Sequence, residues 1–292
     1  MKNGFVIFLA AFIVAGTSWC AFVLAPELQL GGAKQVSVLN TSDVYPLNRP
    51  GKANQGLQIY RANGCAACHT EQVQQTGVTC DVVLTSFGKN TNNVVQAYFK
   101  INPPKPPSNI VTIIIQDPPW TIFTNLDKDK ADDYADKITA AGGKVETHIL
   151  ATGADISRGW GLRHSVAEDF LYDNPVQLGS LRVGPDLAGV GARLPDMNWQ
   201  LLHLYAPQSV VKDSTMPPFR YLFEVQKTGD SPSPDALNLP KEFAAPAGYE
   251  VVPTEDAKKL AAYLLSLHAD VPLYDAPFTA AQVSTNAPAN KK

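Results

Sequence analysis

Arg61-Ala62-Asn63-Gly64-Cys65-Ala66-Ala67-Cys68-His69 is the stretch on which the reading of this chain turns. It contains C-x-x-C-H, the attachment signature of a c-type haem. On a short helical turn, two thiols three residues apart both reach the vinyl groups of one macrocycle. The adjacent His69 then points a ring nitrogen at the iron. A thioredoxin-like pair would sit in a βαβ context, and a zinc site needs a second Cys/His pair at suitable spacing; the flanking sequence offers neither. The motif therefore implies one covalent haem c on Cys65 and Cys68, with His69 as an axial ligand.

A second axial ligand has few candidates, because the chain has three methionines: Met1, Met197 and Met216. Met216 lies in Ser214-Thr215-Met216-Pro217-Pro218, a proline-stiffened loop able to hold a thioether against iron, and is the better candidate. Met197, in Leu194-Pro195-Asp196-Met197-Asn198-Trp199, reads as a helix start. His164, His203 and His268 leave a bis-histidine arrangement open, although each is more simply a structural histidine. Methionine ligation would raise the haem potential relative to two histidines. Between the ligand segments lies Arg182-Val183-Gly184-Pro185-Asp186-Leu187. A metal-bound histidine normally donates its other ring N–H to a carbonyl or carboxylate, and a Gly-Pro turn can present one. The Pro185 carbonyl is assigned that role, with Arg182, Gly184, Pro185 and Leu187 as the residues supporting the pocket.

Helices frame the motif. Asn54 to Asn63 places Leu57 and Tyr60 on one face. Thr254-Glu255-Asp256 is a capped, acidic helix start, after which Leu260, Tyr263, Leu264 and Leu267 recur at helical spacing. Packing these two helices together, with Gly56 allowing close approach, would make a small all-helical domain. Gln226 to Ala247, rich in Pro, Ser, Asp and Gly, reads as a surface loop.

Outward from this core, Phe5 to Pro26 carries no charge, and about 20 such residues cross a bilayer. Lys2 on one side and Glu27 on the other put the short N-terminus in the cytoplasm and the rest outside. The apolar run exceeds the 7–15 residues usual in a signal peptide, so an uncleaved anchor is expected, with Cys20 inside the bilayer. Over its 292 residues the chain is 45% hydrophobic with a net charge of −3, which excludes global disorder and gives no basic footprint for nucleic acid. Four cysteines are too few for a disulfide-dense scaffold. The Cys/His/Met set of a dinuclear copper centre is missing, and one haem motif argues against a di-haem peroxidase.

With these residues in hand, the chain resembles the membrane-anchored mono-haem subunit II of cbb-type haem–copper cytochrome c oxidases. The likeness covers roughly residues 50–75 and 157–223. It runs from Gly64 through Val73 and from Ser165-Val166-Ala167-Glu168-Asp169-Phe170 to Asn174-Pro175. It continues over Gly179-Ser180-Leu181-Arg182-Val183-Gly184-Pro185-Asp186-Leu187 and closes on Leu202-His203-Leu204-Tyr205-Ala206-Pro207 and Asp213-Ser214-Thr215-Met216-Pro217. The resemblance implies His69 and Met216 as axial ligands and a class I cytochrome c-like helical haem domain on the periplasmic side of a bacterial inner membrane. It implies electron relay to a catalytic haem–copper subunit, alongside other membrane cytochrome subunits, with no catalytic chemistry of the chain's own. The same kind of cytochrome in a nitric oxide reductase is the near alternative; a haem-based sensor or scaffold is the distant one.

One departure stands out: about 80 residues separate the two matching blocks. This segment is similar to the C-terminal domain of the bacterial ribosomal stalk protein (L-seven/L-twelve), on Asp81-Val82-Val83-Leu84-Thr85-Ser86-Phe87-Gly88 and Asp129-Lys130-Ala131-Asp132-Asp133-Tyr134 through Gly142-Gly143-Lys144-Val145-Glu146. Val82 to Leu84 and Val145 to Leu150 read as strands and Asp129 to Ala141 as a helix stopped by Gly142-Gly143. Ile110 to Ile115 favours a strand on propensity, whereas the resemblance puts a helix there. Asn102-Pro103-Pro104-Lys105-Pro106-Pro107 replaces the stalk protein's factor-binding helix, so a docking or spacer role is expected instead. The expected chain is thus mainly α, with a cytoplasmic N-terminus (1–4), a transmembrane helix (5–26), a linker (27–50), a haem domain (51–78 and 153–275), an inserted β-α-α-β-α-β domain (79–152) and a tail (276–292).

Overall fold

The computed structural model describes residues 3–39, 41–101 and 118–273. The assignment of residues 107–117 as helix or strand, the proline run 102–107 and the tail 276–292 lie outside the described residues.

Helix α1 (Gly4–Trp19) passes through a π-helical turn (Cys20–Leu24) into α2 (Ala25–Leu30). Residues 4–29 form one helix long and apolar enough to cross a membrane. Its Phe and Ile side chains find no cover within the chain, the state expected of a helix that meets lipid. Thr17 folds its hydroxyl back onto the carbonyls of Ile13 at 2.9 Å and Val14 at 3.0 Å, so the polar atom is satisfied internally.

The stretch expected as a plain linker contains a hairpin, β1 (Val36–Ser37) and β2 (Val44–Tyr45), paired antiparallel. Tyr45 is buried, and its hydroxyl donates to Asp169 Oδ1 at 2.7 Å, while Leu39 N donates to Pro272 O at 3.2 Å. Two-residue strands carry no periodicity, which is why sequence pattern does not reveal them.

Helix α3 (Gly51–Ala62) buries Ala53, Gly56, Leu57 and Tyr60, a stripe at helical spacing, against α9 (Glu255–Leu265). The helices touch at backbone level: a Cβ on Gly56 would stand 2.0 Å from the Lys259 carbonyl oxygen. Thr254 caps α9 by accepting from Ala257 N at 3.3 Å. The Tyr60 and Tyr263 rings meet above the crossing at 5.1 Å. Short α7 (Val190–Arg193) and α8 (Met197–Tyr205), capped by Asp196, close the core from the other side.

This body is not all-helical. Strands β6 (Phe223–Lys227) and β7 (Tyr249–Pro253) pair antiparallel from Phe223↔Pro253 to Lys227↔Tyr249, so the expected loop is the long connection of a hairpin. Phe223 and Val251 are its core-facing residues, and Phe223 packs edge-on to Tyr205 at 5.2 Å. With so few buried side chains, the alternation is too weak to read beside a polar 21-residue connection.

The segment between the two halves of the helical body forms its own sheet, β4 (Trp120–Leu126), β3 (Gly77–Ser86) and β5 (Lys144–Thr152), antiparallel with β3 central. Helices α4 (Thr91–Ile101) and α5 (Lys128–Ala140) cover it, burying Cys80, Val82, Leu84, Val94, Phe123, Ala131 and Ile138. The described order is β-α-β-α-β; the second of the expected helices falls on residues outside the description. Gly77 pairs with Thr152, so the chain leaves the helical body and rejoins it at one point.

Candidate functional site

Helix α3 stops at Ala62, Gly64 turns at φ 67°, and Cys65–Ala67 form a single 3-10 turn. His69 N donates to Cys65 O at 3.0 Å and Cys68 N to the same carbonyl at 3.1 Å, closing the motif into a compact knuckle. Cys65 is half-buried, Cys68 is exposed, and neither is in a disulfide. Burial pushes the Cys65 thiol up to about 12, the opposite of what an activated redox dithiol needs.

The segment 182–188 zips along the motif. Gly184 N donates to Cys68 O at 2.9 Å, and Leu187 N donates to Thr70 O at 2.7 Å. Between them the Pro185 carbonyl sits 2.8 Å from His69 Nδ1. A carbonyl only accepts, so Nδ1 carries the proton and Nε2 keeps its lone pair. Burial holds the His69 pKa below its ordinary value, against the opposing pull of that carbonyl and of Asp186, so the ring is a neutral ligand-type imidazole. Gly184 is a close-approach residue: a Cβ there would lie 2.2 Å from His69 Cε1.

Asp186, fully buried, organises the turn. Its carboxylate accepts from Thr70 Oγ1 at 2.5 Å, Gln72 N at 2.8 Å and Ala188 N at 2.9 Å. Arg182 stands outside the pocket. Its guanidinium binds Asp155 at 2.7 Å and Thr70 Oγ1 at 3.1 Å and also the Gln72 carbonyl, strapping the motif to the short helix α6 (Ala154–Ser157) just after the sheet.

These elements wall a cavity that is partly open to solvent. Cys65, His69, Pro185 and Leu187 line it together with Met216. The Met216 loop is fixed to α8 by Phe219 N donating to Leu204 O at 2.8 Å, and Met216 N donates to Ser214 Oγ at 3.3 Å. Tyr60, Val190, Leu194, Leu204, Leu260 and Leu264 supply the apolar surface. Met197 points outward, 37% exposed, into a different depression beside Lys52 and Asp196. His164 is engaged by Gln75 and His268 by Asp270; neither lines the pocket, whereas His203 does.

Sequence reasoning missed Arg193, Trp199 and Gln200 as lining residues and gave His203 only as a remote alternative. The spacing of Trp199 and His203, four apart on one helix face, was the available signal. Their rings stack at 4.9 Å.

Among the described residues, no group of three or more His, Cys, Asp or Glu gathers in a way that could hold a bare metal ion. The donor set fits a haem instead: two cysteines, a histidine with a free Nε2, a methionine thioether facing the same space, and apolar walls. His203 Nδ1, buried with no hydrogen-bond partner, is a polar atom that such an occupant would be expected to meet.

A comparison with curated proteins finds no match. A comparison with family models matches residues 154–267 to the family described as "Cytochrome C oxidase, mono-heme subunit/FixO". The matched stretch carries Pro185, the α8 wall and Met216, and it begins just after β5. Over residues 154–267, the chain is similar to the mono-haem, electron-transferring subunit of a cytochrome c oxidase.

Proposed function

We propose that this chain is a membrane-anchored c-type cytochrome that delivers electrons, through one haem c, to a haem–copper oxidase of the cbb type. The single observation that carries this reading is His69: its Nδ1 is committed to the Pro185 carbonyl while it shares a pocket with Cys65 and Met216. Cys65 and Cys68 would hold the haem through thioether links, and His69 and Met216 would ligate its iron. Haem c supplies a one-electron ferric/ferrous couple when bound. The chain's residues do the remaining work. Pro185 fixes the tautomer and orientation of His69, Gly184 and Leu187 pack the ring, and Leu194, Leu204, Leu260 and Leu264 exclude water. Arg182 acts from outside the pocket by holding the turn in place.

The helix over residues 4–29 anchors the chain with its short N-terminus in the cytoplasm and its haem-bearing body in the periplasm, beside a catalytic haem–copper subunit and other membrane cytochrome subunits. Tethering raises the effective concentration of donor at acceptor. The sheet-and-helix segment around residues 79–152, similar in sequence to the stalk-protein domain, serves as a docking or spacer module.

The test is spectroscopic. Denatured full-length protein should give the pyridine haemochrome of a thioether-linked haem, and the folded protein a near-infrared methionine–iron charge-transfer band. Met216→Ala should keep the covalent haem, lose that band and lower the potential. Retention of the band in Met216→Ala would refute the ligand assignment.

A further inference from the structure

Two buried acids flank the attachment motif, and one arginine joins them. Asp155, 2% exposed, is the second residue of α6, directly behind the last strand of the inserted sheet. Asp186 follows the proline whose carbonyl meets His69. The segment leading away from His69 is pinned to both acids at alternate residues. Gln72 N donates to Asp186 Oδ2 at 2.8 Å and Gln74 N to Asp155 Oδ2 at 2.8 Å. Two residues on, Thr76 N donates to Thr152 O at 2.9 Å, at the end of the sheet. Arg182 spans the gap between the acids. Its Nη1 lies 2.7 Å from both Asp155 oxygens, its Nε donates to Thr70 Oγ1 at 3.1 Å, and its Nη2 stands 3.7 Å from Asp186 Oδ2. Thr70 Oγ1 in turn donates to Asp186 at 2.5 Å. An unbroken polar path therefore runs from the sheet end to the turn that holds His69 Nδ1.

Asp155 does not line the pocket, so any effect on it must pass through these bonds. Breaking up a buried charge cluster costs more than any one of its contacts, because the partners left behind stay desolvated and unpaired. Without the Asp155 charge, Arg182 keeps only Asp186, 3.7 Å away, as a counter-charge. The remaining hold on its guanidinium is the Thr70 hydroxyl, the Gln72 carbonyl and the Trp160 ring, 5.8 Å from centroid to Cζ. A guanidinium so released slackens Thr70 and Asp186, the two residues that fix either side of the Pro185 turn. Contiguous networks of this kind transmit a change when both ends bias the same arrangement.

We infer that Asp155 is a positioning residue for the axial histidine: acting through Arg182, it keeps the Pro185 carbonyl pressed on His69 Nδ1 and puts the end of the inserted sheet in series with that bond. The inference rests on the proposed haem function and adds to it a residue of the domain junction. Its electronic sign follows. A firm Nδ1–H to carbonyl bond makes the imidazole a more basic ligand, which favours the ferric state. Slackening the bond favours the ferrous one, and a guanidinium freed of its counter-charge acts in the same direction.

The experiment uses the haem-loaded full chain in detergent, with 15N-labelled histidine and arginine. Asp155→Asn keeps an acceptor for Gln74 N and removes the charge. In the ferrous state its His69 Nδ1–H should exchange with solvent about tenfold faster than in the wild type, as a bond opened by local fluctuation does when its support is weakened. The ferric/ferrous balance should move toward ferrous by up to about tenfold, equivalent to about 59 mV for one electron, with the methionine–iron band retained. Asp155→Glu should restore most of both. Arg182→Gln should reproduce the effect, and the double variant should add little, since the two residues lie on one path. Lower thermal stability with unchanged His69 exchange overturns the inference, as do strictly additive effects of the two substitutions. If the variants fail to accumulate with haem, the wild type decides. Across a series of sub-denaturing urea concentrations, Gln74 N–H, Arg182 Nε–H and His69 Nδ1–H should open as one unit; a His69 proton with its own separate dependence overturns the inference. A wild-type chain with no covalent porphyrin fails earlier, at the functional reading itself, whereas a loaded chain whose His69 proton ignores Asp155 fails only here.

Discussion

The proton on His69 Nδ1 is held by a proline carbonyl 116 positions away in sequence, and the ring edge lies where residue 184 can have no side chain. Gly184→Ala should therefore displace either the ring or the turn, costing about 1–3 kcal/mol as overpacking does; denaturant titration and the yield of haem-loaded protein would measure it. Pro185→Ala, which keeps the carbonyl, should be much milder on haem loading, and an equal loss in both variants would argue that the turn, not the close contact, is what matters. At this scale the sequence was informative for the groups whose identity is dictated by bonding. The Cys65, Cys68 and His69 spacing is a motif legible from sequence alone, and the Pro185 carbonyl named beside it does meet His69 Nδ1 at 2.8 Å. Arg193 and His203 could not be named, because a lone Arg or His is far more often a surface or core residue than a pocket wall. Arg182, expected as a support of the pocket, bridges Thr70 and Asp155.

At the level of elements, the crossing of α3 and α9 is the most demanding contact. With the Lys259 carbonyl 2.0 Å from any Cβ at position 56, Gly56→Ala must force the helices apart and should destabilise by about 3 kcal/mol, the upper part of the overpacking range. Thermal unfolding of the purified chain would show it. The C-terminal end of α9 carries a pH-dependent pair. His268 Nδ1 lies 3.3 Å from Asp270, and that carboxylate, outweighing burial, raises the His268 pKa above its ordinary value. A raised folded-state pKa gives stability that is present in full below the unfolded value of about 6.5 and fades as pH climbs through the folded one. His268→Gln should thus cost stability at pH 5.5 and little at pH 8.5, by less than about 1 kcal/mol because the pair is partly solvated; paired melts at the two values would check the sign. Helices α3 and α9 were readable because each shows an apolar stripe with caps. The hairpin of β6 and β7 was not, since its two strands bury little and are joined by 21 residues.

On the scale of the whole molecule, two cores are kept apart. The residues packed around the pocket include none from 77–152, and those packed on the sheet come only from 80–149. Gly77 and Thr152 are register partners, and such partners in an antiparallel ladder have Cα atoms about 4.5–5.5 Å apart, close to the 3.8 Å of one peptide link. Deleting residues 78–151 and joining Gly77 to Thr152 should leave haem incorporation and the visible spectrum intact while altering association with partner subunits. Loss of haem from that variant would show the two cores to be interdependent.

That arrangement also sets a timetable. A chain made from its N-terminus delivers Cys65, Cys68 and His69 long before Pro185 and Met216 exist, and the intervening segment is the first to complete a core of its own. For that interval the attachment motif is tethered to a finished neighbour yet still unlatched, displayed on a strand that cannot yet shut around anything. Under the proposed function, the order of synthesis would open a period in which both thiols can be reached for haem attachment, and the arrival of residues 182–188 would end it.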